Sequence, residues 1–76
     1  MDYGTIAIIS SFHMAVDHYK KKNSRPSKKS LKRAYLQLIS SLKGELRRNA
    51  ISKQEFDEMI DAYGKEYREV INNGKV

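Results

Sequence analysis

The chain lacks most of the devices by which very small proteins secure a minimal core. It has no cysteine, no tryptophan and only two histidines in 76 residues. Disulfides are therefore excluded, and a structural metal site would have too few of its preferred ligands. A single domain of this size buries only about 60% of its unfolded surface. We therefore expect one domain over residues 1–76 that a second copy of the chain completes as a homodimer.

Long apolar runs are also missing. The apolar run at residues 6–9 stops at Ser10 and Ser11, and no Lys or Arg precedes it. It is far shorter than the ~20 residues that cross a bilayer, and it lacks the charge pattern of a signal peptide. The sequence predicts a cytoplasmic protein without a membrane span.

Proline occurs once and glycine four times, and apolar residues recur three and four apart over most of the chain. This spacing predicts amphipathic helices near residues 5–22, 28–48 and 52–73. The fold class is therefore all-α, a small three-helix bundle. Its expected core stripes are Ile8, Ile9, Phe12, Ala15, Val16 and Tyr19; Leu31, Ala34, Tyr35, Leu38, Ile39, Leu42 and Leu46; and Phe56, Met59, Ile60, Tyr63, Tyr67, Val70 and Ile71.

Local signals differ between the two connections. Ser52 and Glu55 have the spacing of a capping box at the start of the third helix. The short turn at residues 49–51 predicts an antiparallel hairpin of helices two and three. Residues 22–27 form a looser basic link, because Pro26 suits a helix entrance and places the start of helix two at Ser27 or Ser30. Either Asp2 or Thr5 is the expected cap of helix one.

No set of residues has the arrangement of a catalytic or metal site. His13 and Asp17 are four apart, but His18 points away from them, and two ligands do not hold a zinc ion. The acidic residues 55–61 lie in a helical pattern without the glycine of a calcium loop. The sequence therefore predicts no enzyme activity, no metal and no cofactor.

Acidic residues are scarce in the first two thirds of the chain, and basic residues are concentrated there. Residues 1–51 carry eleven Lys or Arg against three acids, a net charge of +8, whereas residues 52–76 carry four against six. Eight of the fourteen residues from Lys20 to Arg33 are basic. Such density is costly unless it is well solvated or meets an anionic partner, which leaves two interpretations: contact with nucleic-acid phosphates, or a face that is solvated or contacts a protein. The expected phosphate-binding residues are Lys20, Lys21, Lys22, Arg25, Lys28, Lys29, Lys32, Arg33, Lys43 and Arg47, assisted by the hydroxyls of Ser24, Ser27 and Ser30 and by the first amides of helix two.

These residues predict a small regulatory protein that binds DNA or RNA mostly without reading bases. Four apolar residues lie off the core stripes: Ile6, Ala7, Met14 and Leu36. They are the expected homodimer or partner contact. An alternative function is therefore a protein-interaction module, of inhibitor or antirepressor type, that docks on an acidic surface of a larger protein. A weaker alternative is attachment to anionic lipid through Lys20–Lys22 beside Tyr19 and Phe12.

Overall fold

A computed structural model describes residues 2–73, which form three α-helices and no strand within that range. Helix α1 spans Tyr3–Lys21, α2 spans Arg25–Arg47 and α3 spans Lys53–Asn73. The all-α prediction is confirmed. None of the helices in the described range is both long and apolar enough to cross a membrane.

Helix α2 begins three residues earlier than the predicted start near residue 28. Ser24 is the N-cap, Arg25 is the first helical residue, and Pro26 follows it inside the first turn. Ser24 and Ser27 form a reciprocal capping box, since each side chain accepts a hydrogen bond from the backbone N–H of the other. The predicted link at 22–27 was therefore too long. Only residues 22–24 lie between the two helices.

The turn between α2 and α3 is short and well bonded. Asn49 adopts a left-handed conformation with φ of 61°. The Ala50 N–H reaches back to the Glu45 carbonyl, and the Asn49 N–H reaches the Leu46 carbonyl, which is the Schellman pattern at a helix C-terminus. The predicted capping box then opens α3: the Ser52 N–H donates to Glu55, and the Glu55 N–H donates to the Ser52 hydroxyl.

The core lies where the predicted stripes meet. Every residue of the three stripes is buried or half-buried, and Phe12, Leu31, Leu38 and Leu42 are fully inaccessible. The closest packing is between α1 and α2, and α3 packs less extensively on both. Of the stripe residues on α3, Val70 is buried and the others are only half-buried. The bundle is elongated, with extents of 41 × 20 × 14 Å.

A buried polar network joins the start of α1 to the end of α2 and makes these helices antiparallel. Glu45 is 1% exposed, and its Oε1 accepts a hydrogen bond from the Thr5 hydroxyl at 2.7 Å. The Asp2 N–H donates to the same oxygen at 3.3 Å, and the Arg48 guanidinium lies 3.1 Å away. Asp2 caps α1 by accepting from the Thr5 N–H. We call Asp2, Thr5, Glu45 and Arg48 the Glu45 network.

Aromatic contacts place α3 against the other two helices. Tyr35 of α2 stacks on Tyr67 of α3 with ring centres 4.4 Å apart and planes 2° from parallel. Gly64 makes room for this pair, because a Cβ there would lie 3.2 Å from the Tyr35 hydroxyl. Phe12 meets the edge of Tyr63, and the His13 imidazole lies 3.8 Å from the Glu66 carboxylate. Tyr35 and Tyr67 both lie well away from the short turn that joins α2 and α3. Their contact therefore shows that these two helices run antiparallel.

Candidate nucleic-acid interface

All ten predicted phosphate-binding residues lie at the surface of the bundle. Each of these side chains is exposed. Within residues 2–73, none of the ten is within ion-pair distance of a carboxylate, because the ion pairs present there belong to His13, Arg48 and Lys53. Their charge is therefore left to solvent, counterions or a partner. The ten residues are Lys20, Lys21, Lys22, Arg25, Lys28, Lys29, Lys32, Arg33, Lys43 and Arg47, which we call the basic surface.

The short link fixes the densest part of the basic surface. Ser27 is 3% exposed, and its hydroxyl donates to the Lys22 carbonyl at 2.6 Å. The Lys22 N–H in turn donates to the carbonyl of His18 at 2.8 Å, which closes the last turn of α1. These bonds hold the end of α1 against the first turn of α2. The cations of residues 20–22 therefore share one end of the bundle with Arg25, Lys28 and Lys29.

The same bonds contradict the phosphate role expected of two serines. The Ser27 hydroxyl is buried and donates its hydrogen bond to the Lys22 carbonyl. The Ser24 hydroxyl accepts from the Ser27 N–H in the helix cap. The first amides of α2 are a poor anion site as well. Pro26 has no N–H, and the N–H groups of Ser27 and Lys28 already donate to Ser24. Of the predicted hydroxyl donors, Ser30 alone remains exposed.

Along α2 the basic surface becomes a stripe that faces away from the core. With 100° between successive residues, Lys29, Arg33 and Arg47 lie nearly opposite Leu31 and Leu38. Arg25 and Lys43 lie on the same outward side. At 1.5 Å per residue, the stripe from Arg25 to Arg47 is about 33 Å long. Lys28 lies nearer the α3 side of the helix but is also exposed.

The middle of the stripe, from residue 34 to residue 42, carries no charge and borders an open depression. Leu36 is 55% exposed there. The depression has a volume of about 470 Å³. Its lining residues are Lys29, Lys32, Arg33, Leu36, Gln37 and Ser40. An apolar side chain thus lies at the surface beside three cations, as the position of Leu36 off the core stripe predicted.

Two cations outside the basic surface, Arg48 and Lys53, have carboxylate partners, whereas Lys65 and Arg68 are exposed without an ion pair in residues 2–73. Arg48 follows the stripe in sequence, but its guanidinium is directed to Glu45 and Asp2. The hydrogen bond from the Thr5 hydroxyl lowers the pKa of Glu45, and the Thr5 N–H lowers the pKa of Asp2. On α3, Lys53 pairs with Asp57 at 2.8 Å. The outer side of α3 carries exposed acids, Glu58, Asp61 and Glu69 among them.

The four predicted contact residues do not form one patch. Ile6, Ala7 and Met14 are exposed on the outer side of α1, whereas Leu36 lies within the α2 stripe. Tyr3 is 90% exposed and was not predicted as part of the α1 surface. Its spacing of four from Ala7 places it on the same side.

Two of the other sequence interpretations have a structural outcome. Phe12 and Tyr19 are 0% and 3% exposed, so neither can insert into a lipid surface as proposed for membrane attachment. His13 is exposed, and its ring also contacts Tyr63 and lies 3.8 Å from the Glu66 carboxylate across the α1–α3 boundary. Residues 2–73 contain no cluster of three or more His, Cys, Asp or Glu side chains arranged to hold a metal.

Comparison of the chain with protein-family models, curated proteins and solved structures finds no significant match in any of the three.

Proposed function

We propose that this chain is a small, non-enzymatic nucleic-acid-binding protein with a regulatory role. The observation that carries the proposal is the basic surface: ten exposed cations, none paired with a carboxylate of residues 2–73. Phosphates are the matching partner, because each one that a Lys or Arg neutralises releases condensed counterions into solution.

The arrangement of the charges supports a polyanion rather than a single small anion. Eight of the ten cations come from residues 20–33, at one end of the bundle, and two more lie near the other end of α2. A stripe about 33 Å long matches a row of phosphates better than it matches one phosphate group.

Fluorescence anisotropy with a labelled DNA duplex over a salt series tests the proposal. We expect binding that weakens linearly in a log–log plot, by several powers of ten between about 50 and 200 mM salt if six or more phosphates are contacted. The double variant Lys29→Ala/Arg33→Ala removes two cations from the stripe, so its salt slope should fall by about 2.

The matched control is Lys65→Ala/Arg68→Ala. It removes the same charge from exposed positions on α3, which carries an excess of acids. Its affinity and salt slope should stay close to those of the original chain. Equal losses in the two double variants would show that net charge, and not the basic surface, governs binding. No binding at low salt would refute the proposal.

A second candidate function is protein binding through the outer side of α1, as an inhibitor or antirepressor. The observation that favours it is exposed apolar surface there: Tyr3 is 90%, Met14 71% and Ile6 47% exposed. The same surface is our proposed homodimer contact. Light scattering should then give twice the chain mass, and Met14→Lys should return the monomer.

The protein-binding role is tested by capture of a partner from lysate. A partner that stays bound after nuclease treatment would favour this role, whereas one lost with nuclease would count against it. A cytoplasmic location fits either function.

A further inference from the structure

The charges on the outer side of α2 fall into two groups. Lys29, Lys32 and Arg33 lie before the middle of the helix, and Lys43 and Arg47 lie near its end. From Arg33 to Lys43 the helix rises about 15 Å. The outward positions between them are uncharged, and they are held by Leu36, Gln37 and Ser40.

This uncharged middle has the chemistry that meets base edges. Leu36 offers an apolar surface to a thymine methyl group, Gln37 can bond both N6 and N7 of adenine, and a serine hydroxyl can donate or accept. Leu36, Gln37 and Ser40 are all exposed. Gln37 and Ser40 form no side-chain hydrogen bond within residues 2–73, so their polar groups are available to a ligand.

The outer side of α2 can enter the major groove of B-DNA. The major groove is about 12 Å wide and admits one α-helix. The cations before and after the uncharged middle can reach the phosphates that border the groove beside the helix, because Lys and Arg side chains are long and flexible. The middle of the helix then faces the floor of the groove.

We propose that α2 binds in the major groove of duplex DNA, with Leu36, Gln37 and Ser40 against the base edges and the two cationic groups on the flanking phosphates. This inference rests on the proposed function and goes further: it names B-form DNA as the ligand and adds sequence preference to phosphate binding. Duplex RNA is a poor ligand for such a surface, since its major groove is too deep and narrow for side chains to read.

Selection from a random-sequence DNA duplex pool tests the inference. The original chain should enrich a preferred sequence and bind it about tenfold or more tightly than a scrambled duplex. The variant Leu36→Ala/Gln37→Ala should lose most of this preference and keep its affinity for the scrambled duplex. Both substitutions are at exposed helical positions, so thermal unfolding should be nearly unchanged.

The control variant is Lys43→Ala/Arg47→Ala, which removes phosphate contacts and keeps the uncharged middle. It should weaken binding to every duplex alike, with a salt slope lower by about 2, and still prefer the selected sequence. An RNA duplex of the selected sequence should bind more weakly than the DNA.

The outcomes separate this inference from the proposed function. Two outcomes would overturn the major-groove arrangement but not the phosphate binding. One is salt-dependent binding with no enriched sequence, and the other is an RNA duplex that binds as tightly as DNA. Preference that survives in Leu36→Ala/Gln37→Ala also overturns the arrangement. Absence of any binding to DNA overturns both.

Discussion

The charged groups at the two ends of the α1–α2 pair differ in burial and in bonding. At the end where α1 starts, a buried carboxylate, Glu45, is bonded by Thr5, by the Asp2 amide and by Arg48. At the end where α1 meets α2, six cations at residues 20–29 are exposed, and none has a carboxylate of residues 2–73 within ion-pair distance. We call these the closed end and the open end.

The difference separates charges that serve the fold from charges that do not. A buried carboxylate is tolerated only where it is bonded, and the Glu45 network meets that condition. Clustered like charges repel one another and destabilise a compact chain. The open end therefore works against folding, which favours an external anion as the reason for its composition.

Removing the acceptor at the closed end should have the largest effect on stability. Glu45→Ala leaves the Thr5 hydroxyl and the Asp2 N–H without their partner and opens space between α1 and α2. We expect the midpoint of thermal unfolding, followed by circular dichroism, to fall by several degrees or more. Lys29→Ala, a single change at the open end, should leave it unchanged or slightly raised.

A double-mutant cycle sharpens this test. Because the Thr5 hydroxyl donates to Glu45, the variants Thr5→Val and Glu45→Ala should be strongly non-additive in unfolding free energy. Additive effects, or a Glu45→Ala midpoint equal to that of Lys29→Ala, would mean that the network does not hold the closed end together.

Because of Glu45 and Asp2 at the closed end, the stability of the protein should also depend on pH. The pKa values of Glu45 and Asp2 are lowered by folding from ordinary values of 4.5 and 3.8. Their contribution is therefore complete above about pH 5 and is lost as pH falls through the lowered values of the folded chain. Urea unfolding between neutral pH and about pH 2.5 should show the free energy of unfolding decreasing with acid. Glu45→Gln should lose less stability over that range, and identical profiles for the two proteins would contradict the assignment.

Sequence periodicity predicted the helices and their buried sides, because the spacing of apolar residues directly reports which face is covered. It did not predict the Glu45 network. Glu45 lies three residues after Leu42 and seven after Leu38, on the core-facing side, which is a signal that could have been used. Its main partner, Thr5, is forty residues away in the chain. No local pattern identifies such a partner.

The open end shows the same division between local and tertiary information. Ser24 was not recognised as the cap of α2, since its capping box closes with Ser27 in place of the usual Glu or Gln. The exposure of the seven cations on α2 follows from their positions opposite or beside the core stripe of that helix. That none of them finds an internal carboxylate depends on where the acids of α3 and the Glu45 network lie in space.

The smallest expected effect on stability comes from introducing a carboxylate at the open end. Lys28→Glu places an acid in the first turns of α2, four residues before Lys32, where both the helix dipole and the ion pair are favourable. We expect a gain of about 0.5 kcal/mol in unfolding free energy, together with more than tenfold weaker DNA binding at low salt, because the variant loses a cation and adds an anion. Lys28→Gln, which only removes the cation, should fall between the two proteins in both measurements. If Lys28→Glu instead lowers stability, the cations of the open end support the fold in some way, and the contrast with the closed end fails.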